Sequence, residues 1–138
     1  MSTNKVDVVW TGEMSFEADV NGFKLAMDAD EKVGGQNKGP RPKPLTLASL
    51  GGCTAMDVIS ILRKMRVEPD WFNVEVEGDL TEEHPKYYHT IRVTYMFKGE
   101  NLEMEKLQKA VELSNERYCG VNALLRKGAV IEHKIVVL

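Results

Sequence analysis

Cysteine is scarce in this chain: there are two among 138 residues, Cys53 and Cys119, and no CxxC pair. Histidine is nearly as rare, and His84, His89 and His133 stand at no zinc-ligand spacing from either cysteine. A four-ligand metal site is therefore not expected, because such sites draw on closely spaced Cys and His. Basic charge is not in excess either. Eighteen Lys and Arg stand against 21 Asp and Glu, a net charge of −3. That argues against nucleic acid as a partner, since phosphate binding needs a basic face. The N-terminus, MSTNKVDVVW, has no basic segment followed by an apolar core, so no secretory leader is read there. No uninterrupted apolar run approaches the roughly 20 residues of a bilayer span. The expectation is a cytoplasmic protein with no membrane partner. Internal repeats and low-complexity tracts are absent too, and the GGQNKG segment lacks the GKS/T spacing of a phosphate loop.

What remains is an ordinary globular composition, with 43% hydrophobic and 28% charged residues. The length fits one domain over residues 1–138. Three alternating stretches, 5–10, 14–19 and 23–28, read as strands. Asn21-Gly22 between the last two is a strong hairpin signal, because both residues tolerate positive φ. The chain therefore opens with a three-stranded antiparallel meander. Residues 29–43, rich in Gly, Pro and polar groups, read as a long loop. Residues 44–66 read as a long central helix with Pro44 in its first turn and basic residues in its last turns. Its apolar residues run most of the way round, so it is expected to be largely buried. Residues 71–79 and 87–98 alternate as a strand hairpin. A second helix is read over 102–117, capped by Asn101, then a short helical run after Cys119-Gly120, and a last strand over 129–137. The order βββ, α, ββ, α, (α), β is an α+β protein rather than a βαβ repeat.

Two cysteines in a reducing compartment have three readings: inert core thiols, metal ligands or a redox pair. By counting alone inert thiols come first, because free Cys is commonly just buried. Local context changes that order. Gly51-Gly52 precedes Cys53 inside a helix, and each glycine there costs roughly 0.8–1 kcal/mol relative to Ala. Close approach of another element is the usual compensation. Tyr118-Cys119-Gly120 falls at a break between helical stretches. There a thiolate could be stabilised by free N–H groups, or the cysteine could simply pack beside a C-cap glycine.

The segments PRPKPLTLASLGGCTAMDVISILRKMR and AVELSNERYCGVNALLRKGAVIEH together resemble the OsmC/Ohr family. The likeness is greatest to the branch whose central helix carries GGC-(S/T)-A-x-D-V, and it covers nearly the whole chain. The resemblance implies an OsmC-like fold, an intertwined homodimer with the central helices packed at its core, and reduction of organic hydroperoxides. It implies Cys53 as the attacking thiolate and Cys119 as the resolving thiol, with a dithiol reductant and with no metal, haem or flavin. It also implies an activating arginine near the first strands and a glutamate ten residues before the first cysteine. This sequence departs at both points, with no arginine before Arg41 and with Lys43 at the glutamate position. Arg41 and Lys43 are the candidate substitutes. Asp57, one turn after Cys53, brings a negative charge that opposes a thiolate unless it is paired, for instance by Arg63, a serine or a residue of a second subunit. The other expectations left open are a non-catalytic OsmC-like dimer that binds a small apolar ligand and a dimer with structural cysteines.

Overall fold

Asn21 and Gly22 both adopt positive φ, 53° and 83°, and join β2 (Ser15–Val20) to β3 (Phe23–Met27) in antiparallel register. The Asp19 carboxylate accepts the Gly22 N–H at 3.1 Å, which fastens the turn. β1 (Asp7–Gly12) pairs antiparallel with β2, completing the meander. The computed structural model describes residues 2–138, and their contacts divide into two compact units, one ending at Thr46 and one running from Leu47 to Leu138.

In the first unit the loop after β3 is organised by one buried carboxylate. Asp28 accepts N–H groups of Ala29, Gln36 and Lys38 at 2.7, 3.2 and 3.1 Å. Burial opposes its ionisation, but these donors outweigh that cost and hold its carboxyl below the ordinary range. A 3₁₀ turn at Glu31–Val33 lies within the loop. A Cβ at Gly35 would fall on the Ala29 carbonyl, so the loop closes only around a glycine there. The loop is shorter than expected, because the long helix α1 (Pro42–Lys64) begins and ends two residues early.

The second unit is a helix-on-sheet layer. β4 (Trp71–Leu80) and β5 (Tyr88–Lys98) are antiparallel, and β6 (Val130–Val137) pairs parallel to β5. The alternation in β5 is fully realised: Ile91, Val93, Tyr95 and Phe97 are all buried. They form the core with Leu50, Val58 and Leu62 of α1 and Leu107, Ala110 and Val111 of α2 (Met104–Leu113). The observed order of strands and helices makes this an α+β, OsmC-like fold.

Four expectations need correction. α1 is not buried all round. Leu50, Gly51, Thr54, Val58 and Leu62 face the core, whereas Met56 is 77% exposed, because the sheet covers one side of the helix only. α1 is also long and apolar enough, by length and composition, to cross a bilayer, contrary to the expectation that no segment comes near. Its buried stripe instead supplies a third of the core just described. Asn101 does not cap α2: it takes a left-handed φ of 57° in the preceding turn, a conformation Asn tolerates, and Glu103 occupies the cap position. The helix expected over 102–117 ends at Leu113 and widens into a π turn at Ser114–Tyr118, closed by the Cys119 N–H on the Ser114 carbonyl at 2.7 Å.

Candidate functional site

Cys53 sits in the middle of α1, half-buried, with Asp57 one turn further along. Gly51 explains part of the sequence pattern there. A Cβ on it would lie 3.1 Å from Val76 Cγ2, so β4 comes close to this turn of the helix. Gly52 differs, since it is exposed and a Cβ there would meet nothing within 4 Å.

Cys119 reaches Cys53 from the other side. The π turn ends on it, and it then caps α3 (Gly120–Leu125), its Sγ accepting the Asn122 N–H at 3.4 Å. The two sulfurs and an Asp57 carboxylate oxygen all lie within 4.8 Å of one another. Cys53 and Cys119 are both free thiols. Burial pushes the Cys119 thiol up to about 11. The Asn122 N–H pulls the other way, while Cys53 and the Asp57 charge push it further up. Cys119 is thus a protonated thiol at neutral pH, held against Cys53.

Asp57 is paired, and its partner is a serine. The Ser114 hydroxyl donates to Asp57 Oδ2 at 3.0 Å. Behind it runs a line of single-proton groups: Ser114 to Thr54 at 2.8 Å, Thr54 to the Tyr95 hydroxyl at 2.9 Å, and Tyr95 to His133 Nδ1 at 3.2 Å. Each hydroxyl has one proton to give. With Ser114 donating to the carboxylate, Thr54 donates to Ser114 and Tyr95 to Thr54, leaving His133 Nδ1–H to donate to Tyr95. Burial favours the neutral form of both ends: it lifts the Tyr95 phenol to about 12 and lowers His133 from its ordinary value. Asn122 is fixed by its Nδ2 on the Asn115 carbonyl at 3.1 Å, while its buried Oδ1 has no partner among the described residues.

Of the five residues singled out from sequence, the structure brings Cys53, Cys119 and Asp57 together. Arg41 is engaged within the first unit, donating to the Gly39 carbonyl at 2.9 Å and lying 3.6 Å from Asp30. Lys43 is the exposed second residue of α1, and ten helical residues, about 15 Å of axis, separate it from Cys53. None of the ion pairs among the described residues includes Asp57. Sequence reasoning missed Thr54, Tyr95, Ser114 and His133 as a connected set. Thr54 and Tyr95 occur on apolar stripes, and a polar group recurring on a buried stripe is the one signal that marked them.

Comparison with known proteins places this geometry in context. Residues 35–134 match the family described as OsmC-like protein. Protein YhfA of Escherichia coli is 31% identical over 132 residues, covering 95% of this chain and 96% of YhfA. The crystal structure of a hypothetical protein from Aquifex aeolicus superposes with a TM-score of 0.88 at 30% identity, covering 100% of this chain and 98% of the other. An organic hydroperoxide resistance protein from Legionella pneumophila superposes with a TM-score of 0.72, covering 99% and 98%, and at 14% identity this likeness concerns the fold alone. By the extent of the family match and the identity to YhfA, the chain belongs to the OsmC-like family.

Proposed function

We propose that the protein is a cysteine-dependent hydroperoxide reductase acting as a homodimer in the reducing cytoplasm, part of a defence against oxidative stress. The observation that supports this most directly is the pairing of a half-buried Cys53 with a protonated Cys119 inside a 4.8 Å cluster. The Cys53 thiolate attacks one oxygen of an organic hydroperoxide and the O–O bond breaks. Cys53 becomes a sulfenic acid and the other oxygen leaves as the alcohol once protonated. The Cys119 thiol then attacks the sulfenic sulfur, forming the Cys53–Cys119 disulfide and releasing water. A dithiol reductant reopens it by exchange. The exposed stripe of α1 that includes Gly52 and Met56 supports the dimer, because a bare apolar helix face favours a partner.

Stoichiometric cumene hydroperoxide should convert the reduced protein to a Cys53–Cys119 disulfide, seen in tryptic fragments by mass spectrometry. Thiols left unchanged after that treatment would overturn the reading. Arg41 and Lys43 are tested in the same assay. A slower first step in Arg41→Met or Lys43→Met assigns the activating cation, and unchanged rates in both remove that role. A second reading, an OsmC-like dimer that binds a small apolar ligand without catalysis, is favoured by one observation: the charged group beside the sulfurs is the Asp57 carboxylate rather than a cation.

A further inference from the structure

We infer that Cys53, Cys119 and Asp57 form a binding site for a thiophilic divalent cation, Zn²⁺ above all, with one coordination position left open. The residues supply two sulfur donors and one carboxylate oxygen from three places: the middle of α1, one turn further along it, and the junction between the π turn and α3. These donor types are the ones zinc takes in proteins. Their spacing fits. With Zn–S of about 2.3 Å and Zn–O of about 2.0 Å, a tetrahedral ion needs its ligand atoms about 3.5–3.8 Å apart. The three atoms already lie within 4.8 Å of one another. Each therefore needs to move by no more than about 1 Å, which side-chain rotation provides.

The surroundings strengthen the assignment independently of that spacing. Metal-binding groups are ordinarily oriented by hydrogen bonds from an outer layer. Here the Ser114 hydroxyl holds Asp57 Oδ2 at 3.0 Å and is itself held by Thr54 at 2.8 Å. The backbone N–H of Asn122 points at Cys119 Sγ at 3.4 Å. Two of the three donors are thus aimed before any ion arrives. Cys119 is buried, while Cys53 and Asp57 are half-buried, so the cluster is closed behind and reachable in front. The open fourth position falls to water. Binding displaces both thiol protons to solvent, leaving an ion with two thiolates and one carboxylate. No electron is transferred.

The inference departs from the expectation of no metal, which rested on sequence spacing. The ligands come from positions 53, 57 and 119, too far apart to show as a motif. It uses the same sulfurs as the proposed reductase but does not need the reductase chemistry. Where that reading holds, the ion and the peroxide compete for Cys53, and zinc loading silences the reduction reversibly.

The test is Co²⁺ titration of the fully reduced, metal-free protein, followed by absorbance, with Zn²⁺ competition by calorimetry. One Co²⁺ per chain should bind with a thiolate-to-cobalt charge-transfer band and the visible bands of four-coordinate cobalt, and Zn²⁺ should displace it. Asp57→Asn and Cys119→Ser should each weaken Zn²⁺ binding at least tenfold, with Cys119→Ser also halving the charge-transfer intensity. Ser114→Ala should weaken binding by about 10–100-fold, as loss of an orienting partner does. Circular dichroism melts on the same samples identify any variant that fails to fold. Cobalt binding without a charge-transfer band, or affinities unchanged in Asp57→Asn and Cys119→Ser, would overturn the site. Failure of the reductase alone reads differently: cumene hydroperoxide leaves the thiols intact while the cobalt spectrum is normal. Disulfide formation that proceeds equally fast in zinc-saturated protein would overturn the competition.

Discussion

The two sheets of this molecule are built from similar alternating strands and end in opposite states. In the second unit β5 buries Ile91, Val93, Tyr95 and Phe97 beneath α1 and α2. In the first, Val8, Val9, Trp10 and Phe23 stay in the open, with Trp10 64% and Phe23 77% exposed. Alternation predicts a two-faced strand, but it does not say that anything in the same chain covers the apolar face. The second unit satisfies its own pattern. The first carries a contiguous set of exposed apolar side chains of the kind that marks an interaction surface. The sulfur chemistry, too, lies wholly in the unit that completes itself, where a packed core can hold Cys53, Cys119 and Asp57 in fixed relation.

The largest expected effect is on chemistry. Cys53→Ser should lower hydroperoxide consumption by on the order of 10³-fold or more, as loss of a nucleophile does, without changing the thermal melt appreciably. A retained rate would move the chemistry elsewhere. Core truncation comes next. Phe97→Ala should cost about 3–5 kcal/mol in urea unfolding, whereas Phe23→Ser should stay within about 0.5 kcal/mol at low protein concentration. Equal costs would mean that the first sheet is covered in solution. Sedimentation at twice the 15.5 kDa chain mass would then identify a second copy as the cover. Thr54→Val should cost about 1–3 kcal/mol, because it strips a buried partner from both Ser114 and Tyr95.

The smallest effect is a pH slope. His133 has a folded value lowered by burial, so the unfolded chain takes up its proton first as pH falls. Its contribution is fully present above the unfolded value of about 6.5 and is lost as pH drops from there through the folded value. Melting temperatures of the wild type should fall over that window more than those of His133→Asn. Identical slopes would show that His133 titrates as it does in the unfolded chain.

Much of this architecture was legible because its signals are local. The Asn21-Gly22 turn needs only two residues that tolerate positive φ, and the alternation in 87–98 places Tyr95 and Phe97 on the buried face without further information. The boundaries of α1 and α2 were legible only to within a few residues. The parallel pairing of β6 with β5 and the line from His133 to Asp57 were not legible, because they join residues far apart in sequence. The same holds for Asp57. Its need of a partner follows from charge alone, but that the partner is Ser114, 57 positions away, depends on where α2 comes to rest. Gly51 and Gly52 looked equivalent, yet one faces Val76 and the other faces open space.

The π turn at Ser114–Tyr118 has a consequence for how this protein tolerates insertions and deletions. A π turn holds one residue more than the α turn it replaces. Removing one residue from 114–118 would let α2 continue as a regular helix, swinging everything after it by about 100° around the axis. Cys119 would be carried off the face that meets Cys53, although both cysteines would remain in the gene. A one-codon deletion here should therefore uncouple the sulfurs while leaving most of the fold standing, and sequences with both cysteines but a shorter interval would not be equivalent to this one.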